Sequence, residues 1–179
     1  MSVEIVYETH SISVDNERGV ATGWLDGELS ERGRELALEL GRRRRDDGIA
    51  AVYSSDLGRA VETAELAFGG SGISIDLDRR LRECDYGALN GEPVARIEAE
   101  RTKRIDVPYP GGESYRDCVE RTRAFLEALP PELDGKRILV IGHAATRWSL
   151  EHLLVGTPLE DLVGAPFAWQ EGWEFVLGR

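Results

Sequence analysis

Two histidines stand where chemistry is done in α/β proteins. His10 ends the strand-like run Val3-Glu4-Ile5-Val6-Tyr7-Glu8-Thr9, and His143 ends a second one, Arg137-Ile138-Leu139-Val140-Ile141-Gly142. In an open parallel sheet, residues at the carboxyl ends of strands line the ligand crevice. An imidazole there can act as base, acid, nucleophile or metal ligand, so the pair alone leaves several reaction classes open. Arg59 adds a cation in the first turn of a helix, where backbone N–H groups already favour an anion. Glu83 adds a carboxylic acid in the loop after the third strand. A nucleophilic histidine, a second histidine, an arginine and an acid are the parts needed to move a phosphoryl group without a metal. The cation and second ring hold the spread charge, and the acid protonates the leaving oxygen.

The elements that must position these groups follow from caps, breaks and periodicity. A polar loop from Ser11 to Leu29 follows the first strand, longer than a simple connection and therefore read as functional. Ser30 reads as the N-cap of a helix through about Arg45, with Leu36, Ala37, Leu38 and Leu40 facing the core. The block Arg42-Arg43-Arg44-Arg45 falls at its end and reads as a solvated helix terminus that suits the dipole. Ile49 to Tyr53 is a second, buried strand, followed by a helix from about Leu57 to Phe68. Ile73 to Leu77 alternates as a third strand. Arg79 to Gly91 is a polar connection, Glu92 to Arg104 a short charged helix, and Ser114 opens a helix to about Leu129 that Pro130-Pro131 stops. A helix to Leu154 follows His143, and Trp173 to Leu177 reads as an edge strand. Strands alternating with helices predict one domain, residues 1–179, built as a three-layer α/β/α sandwich on a mostly parallel sheet.

Composition narrows the partners. With 22 basic against 33 acidic residues the net charge is −11, which repels nucleic-acid phosphates and anionic membranes. The amino terminus has no signal-peptide pattern and no apolar run is long enough for a membrane span, so a soluble cytoplasmic protein is expected. Cys84 and Cys118 lie far apart and form no C-x-x-C pair, so neither a disulfide framework nor a zinc site is indicated. His152 lies inside a helix and receives no role. No G-x-S-x-G elbow follows a strand, which disfavours a serine hydrolase. The apolar tail with Trp169 and Trp173 either covers the core or pairs with another subunit, as in a homodimer.

The wording of the segments around these residues resembles the histidine phosphatase superfamily, the group that includes cofactor-dependent phosphoglycerate mutases. Gly23-Trp24-Leu25-Asp26 with Leu29-Ser30-Glu31-Arg32-Gly33 is similar to its G-W-x-D and L-[ST]-x-x-G signature. Ser54-Ser55-Asp56-Leu57-Gly58-Arg59-Ala60 with Thr63-Ala64 is similar to its S-S-x-L-x-R-A-x-x-T-A segment. Leu81-Arg82-Glu83-Cys84-Asp85-Tyr86-Gly87 with Gly91, Pro110-Gly111-Gly112-Glu113-Ser114 and Val140-Ile141-Gly142-His143 complete the series in family order. The resemblance implies a phosphoglycerate-mutase-like fold with His10 as the residue that becomes phosphohistidine. It also implies that Arg59 and His143 bind the transferring group, and that Glu83 is general acid and then base. It implies Asn16 as a further phosphate contact, with no metal and no organic cofactor, and Arg18, Arg147 and Ser11 are added as candidate phosphate-binding residues outside the family pattern.

The departure from the family lies beside the nucleophile. Where the family reads R-H-G, this chain reads Thr9-His10-Ser11. A buried bidentate arginine contact is worth roughly 2–4 kcal/mol, so its loss slows a standard phosphatase by roughly 30- to 1,000-fold unless another cation takes its place. Arg18 and Arg147 are the candidate replacements. Little room is left before Pro108 for the long lid that mutases use. The activity read from this is hydrolysis of a small phosphorylated substrate through phosphohistidine. The alternatives are a catalytically weak or inactive relative that binds an anionic ligand, and a phosphoglycerate-mutase-type phosphotransferase.

Overall fold

In a computed structural model, residues 2–178 are described. Five strands form one sheet in the order β3-β2-β4-β1-β5: β1 (Ser2–Thr9), β2 (Ile49–Ser54), β3 (Ile75–Leu77), β4 (Arg137–Gly142) and β5 (Trp173–Gly178). All pairings are parallel except that of β5, which runs antiparallel along the edge of β1. The helices are α1 (Val14–Arg18), α2 (Glu31–Arg44), α3 (Gly58–Phe68), α4 (Val94–Glu100), α5 (Tyr115–Glu127), α6 (Ala144–Leu154) and α7 (Leu159–Gly164). The expected α/β/α sandwich with a mostly parallel sheet is the fold observed.

The central strands are apolar because both faces are covered. Ile138 and Val140 of β4 join one core with Ile5, Tyr7, Phe125 and Leu150, while Leu139 and Ile141 join another with Val6, Val52 and Phe68. Trp173 and Phe175 are themselves core residues, so these parts of the apolar tail cover this chain's own core. Among the described residues no helix is long and apolar enough to cross a membrane.

Caps hold where the side chains permit them. Ser30 Oγ accepts from Gly33 N, and Ser114 with Asp117 forms a reciprocal capping box. Two elements beside the site differ from the sequence reading, and α7 is a further helix that it did not contain. The loop after β1 contains the single-turn helix α1, capped by Ser13 and Asn16 in another reciprocal box. The buried positions of α2 are Gly33, Ala37 and Leu40, spaced for a helix, whereas Leu38 is 45 % exposed. Leu36, Leu38 and Leu40 at every second position cannot share one face at 3.6 residues per turn.

The arginine block is likewise only partly a solvated end. Arg42 and Arg45 are exposed, but Arg43 and Arg44 turn inward to Glu8, which is buried on β1. Its Oε1 accepts from Arg43 Nη2 at 3.0 Å and from Arg44 Nε and Nη2 at 2.9 and 2.7 Å. A carboxylate lodged in a strand requires such partners, because an unpaired buried charge is far costlier than a paired one.

Candidate active site

Strand pairing brings the two histidines together. Thr9 is opposite Gly142 in the β1–β4 ladder, and His10 N donates to Gly142 O at 2.9 Å. Neighbouring strands lie about 4.8 Å apart, and the His10 and His143 ring centroids are 4.9 Å apart. They open on a cavity of about 550 Å³ that Ser11, Asn16 and Glu83 also line, a volume suited to a small molecule.

His10 is oriented from its own loop. Its Nδ1 lies 2.6 Å from Ser11 O, so the ring carries its proton on Nδ1 and leaves the Nε2 lone pair for attack. Burial, reinforced by the positive charge of Arg59, pulls its pKa from the ordinary 6.5 to about 3. The imidazole is therefore neutral, the form a nucleophile needs. Ser11 N donates to Thr63 Oγ1 at 3.0 Å and Ser11 Oγ donates to Gly33 O at 2.7 Å. Gly33 is required at this crossing, since a Cβ there would lie 1.9 Å from Ile12 O.

His143 is buried against β2 and α3. Arg59 Nη2 lies 3.3 Å from His143 Nδ1, and a guanidinium can only donate, so the ring accepts there. Its proton then sits on Nε2, 2.9 Å from Ser55 Oγ. Burial, then the charge of Arg59, holds its pKa well below the ordinary value. Arg59 is only 3 % exposed and bonds Gly23 O at 2.9 Å. It meets the cavity through His143 rather than lining it, and its buried Nη1 has no hydrogen-bond partner among the described residues. That donor is one an anion could satisfy.

Glu83 faces the cavity from the connection after β3. Its Oε1 accepts from Cys84 N at 2.8 Å and Ala145 N at 3.2 Å. Burial raises its pKa despite those bonds and the nearby Arg59, the arrangement by which a carboxyl keeps its proton for general-acid work. Its carbonyl is pinned from two sides, by Trp24 Nε1 at 2.7 Å and Arg121 Nη2 at 3.0 Å. Cys84 and Cys118, remote in sequence, meet behind it with Glu113. Arg121 already bonds Glu113 and Cys118 Sγ, so that group of donors is satisfied by a guanidinium and braces Glu83 from behind.

The other expected contacts are distributed differently. Asn16 lines the cavity, but its Oδ1 is committed to Ser13 N in the cap of α1. Ser11 lines it with its hydroxyl hydrogen spent on Gly33 O. Arg18 is exposed in the last turn of α1 and Arg147 is drawn to Glu151 one turn along α6, with its guanidinium 5.4 Å over Trp173. Neither lines the cavity. The cations that do are Arg32 and Arg43 of α2. Neither was given a site role from the sequence, where Arg43 was read as part of a solvated helix end, though Arg32, Leu36, Leu40 and Arg43 fall on one helical stripe. Ser55 and Thr63, quoted only as motif letters, prove to orient His143 and to tie α3 to the His10 loop. His152 Nδ1 meets Thr157 O near the end of α6, outside the cavity.

A parallel sheet with its histidines at the β1–β4 junction and a carboxyl opposite them defines a phosphoglycerate-mutase-like α/β protein. Solved structures share this architecture. Bacillus stearothermophilus YhfR matches with a TM-score of 0.83 and 28 % identity, over 97 % of this chain and 89 % of that one. A mycobacterial glucosyl-3-phosphoglycerate phosphatase in complex with VO3 matches at 0.77 and 28 %, over 92 % and 87 %. Among curated proteins, a probable phosphoglycerate mutase GpmB of Erwinia tasmaniensis is 31 % identical over 164 residues, 87 % of this chain and 76 % of that protein. The model of the histidine phosphatase superfamily (branch 1) matches residues 8–168, and the chain belongs to that family.

Proposed function

We propose that this chain is a phosphomonoester hydrolase that acts through phosphohistidine at His10 on a small phosphorylated substrate. The observation that carries the reading is the pairing, in one cavity, of a neutral imidazole whose Nδ1 is tied to the backbone with a carboxyl whose pKa is raised. In the first step His10 Nε2 attacks phosphorus, the P–O bond to the leaving group breaks, and Glu83 passes its proton to the departing oxygen. In the second, Glu83, now a carboxylate, takes a proton from water as its oxygen attacks phosphorus. The N–P bond breaks and inorganic phosphate leaves, with His10 and Glu83 restored. Arg59 Nη1 and the amino end of α6 supply the positive potential for the transferring group, and His143 holds Arg59 in place. No step calls on a metal or an organic cofactor. The phosphatase among the solved relatives is consistent with this reading.

A second reading has one observation behind it. Thr9 replaces the arginine of the R-H-G pattern, and neither Arg18 nor Arg147 reaches the cavity. A weak or inactive relative that binds an anion would have the same features. Turnover of p-nitrophenyl phosphate by wild type and by His10→Ala divides the two. Hydrolysis by wild type that the variant loses is the expected result. Product release no faster than the variant's, with vanadate still bound, would favour the binding protein.

A further inference from the structure

The cavity does not end at the histidines. Beyond them it runs between the loop after β1, the exposed side of α2 and the segment joining α7 to β5. Its walls there are Ile12, Leu36, Leu40, Phe167 and Trp169. Trp169 is 61 % exposed, a large aromatic surface left in water at the mouth of a cleft, which is the kind of surface a ligand covers.

This wall is built rather than loose. Phe167 packs against Trp148 and Trp173, with ring centroids 6.4 and 6.0 Å away. The far end of the segment is held by Arg44 Nη2, which donates to Glu171 O at 3.1 Å. Gly172 permits that approach: its φ is +82°, and a Cβ there would lie 2.2 Å from Arg44 Nη2. Trp169 therefore sits between two anchors.

The charges on this side argue against a second anionic group on the substrate. Arg43 is tied through Nη2 to Glu8, whose single charge it shares with Arg44, while its buried Nε has no hydrogen-bond partner among the described residues. The other charges lining this side are Arg32 and two carboxylates, Glu39, itself 3.9 Å from Arg42, and Glu171. With Arg32, Arg42, Arg43 and Arg44 matched by Glu8, Glu39, Asp47 and Glu171, a carboxylate or second phosphate on the leaving group would find little net attraction on this rim, whereas an apolar group would cover Leu36, Phe167 and Trp169 and gain burial energy.

We propose that this compartment binds the leaving group, and that its chemistry is uncharged and apolar or aromatic. The chain then prefers monophosphate esters of apolar alcohols to phosphorylated sugar acids. The inference rests on the phosphatase reading for its chemistry, but the compartment can be tested by binding alone.

The probes are 2-phenylethyl phosphate, glycerol 1-phosphate and 3-phosphoglycerate, each a phosphate ester of an aliphatic alcohol, compared by calorimetric binding to His10→Ala and by kcat/KM with wild type. Phenylethyl phosphate should bind about tenfold or more tighter than the other two, since one buried aromatic edge is worth at least about 1.4 kcal/mol, a factor of ten. Trp169→Ala, at an exposed position that does not endanger folding, should remove most of that preference and leave glycerol 1-phosphate within about twofold. Trp169→Phe should restore it. Equal affinity for the three esters, tighter binding of 3-phosphoglycerate, no binding of any of them, or a preference indifferent to Trp169→Ala would each overturn the proposal. The binding preference without turnover would support the compartment and count against the hydrolase reading alone.

Discussion

Replacing Glu83 by glutamine separates its chemistry from its structural work. Glu83 Oε1 accepts from Cys84 N and Ala145 N, and a glutamine carbonyl oxygen can accept both. The backbone clamp from Trp24 and Arg121 does not involve the side chain. The variant should therefore fold with a melting temperature close to that of wild type. What it loses is the proton, and a positioned general acid is worth about 10²- to 10⁴-fold. The leaving group decides how much of that loss is visible. An alkoxide departs poorly without a proton, while p-nitrophenolate departs readily. The measurement is kcat/KM, which covers the steps through the first P–O cleavage and is blind to later hydrolysis of the phosphoenzyme. For glycerol 1-phosphate the fall should reach the full range of about 10²- to 10⁴-fold, and for p-nitrophenyl phosphate it should be at least about tenfold smaller. Wild-type kcat/KM should also decline as pH rises through the raised Glu83 pKa, and that limb should disappear in the variant. An equal loss for both esters, or a variant that retains the alkaline limb, would refute the assignment of Glu83 as the acid.

Two further predictions concern stability. Glu8→Ala leaves Arg43 and Arg44 facing an empty position, although Arg44 keeps Asp47 at 2.9 Å. Breaking a buried pair costs about 3–5 kcal/mol, and the remaining Asp47 contact and partial exposure reduce this to about 2–4 kcal/mol, lowering Tm by roughly 4–16 °C. A loss below about 1 kcal/mol in urea denaturation would contradict the role given to Glu8. His10 has its pKa depressed from 6.5 to about 3, so its stabilising contribution is present above pH 6.5 and is lost as pH falls toward 3. At 1.36 kcal/mol per unit this is at most about 5 kcal/mol, and contact with the cavity lessens it. His143 acts in the same direction. His10→Gln should make stability less steeply pH-dependent between pH 6.5 and 3, and an unchanged slope would contradict the depressed value.

The sequence carried the frame and the centre of the site because both depend on local signals. Strand ends, serine caps and proline stops are written within a few residues, so β1 and β4 and the caps at Ser30 and Ser114 could be read directly. The helices α1 and α7 escaped because one-turn and six-residue helices have no room for periodicity. Leu38 was misplaced by counting leucines instead of helical phase. Whether a cation reaches a cavity depends on which partner captures it, and those partners come from elsewhere in the chain. Arg43 and Arg44 found Glu8 across some 35 residues, and Arg147 lies over Trp173 of β5. The meeting of Cys84 with Cys118 is equally a product of the fold.

The proposed hydrolysis turns on transfer of the phosphoryl group to His10. Its most direct test is to mix the protein with substrate, quench in alkali, where phosphohistidine survives, and map the adduct by mass spectrometry. A phosphoryl group is expected on the peptide containing His10, accumulating further when Glu83→Gln slows attack by water and absent in His10→Ala. Turnover with no adduct on any histidine, or an adduct on His143 that persists in His10→Ala, would contradict it.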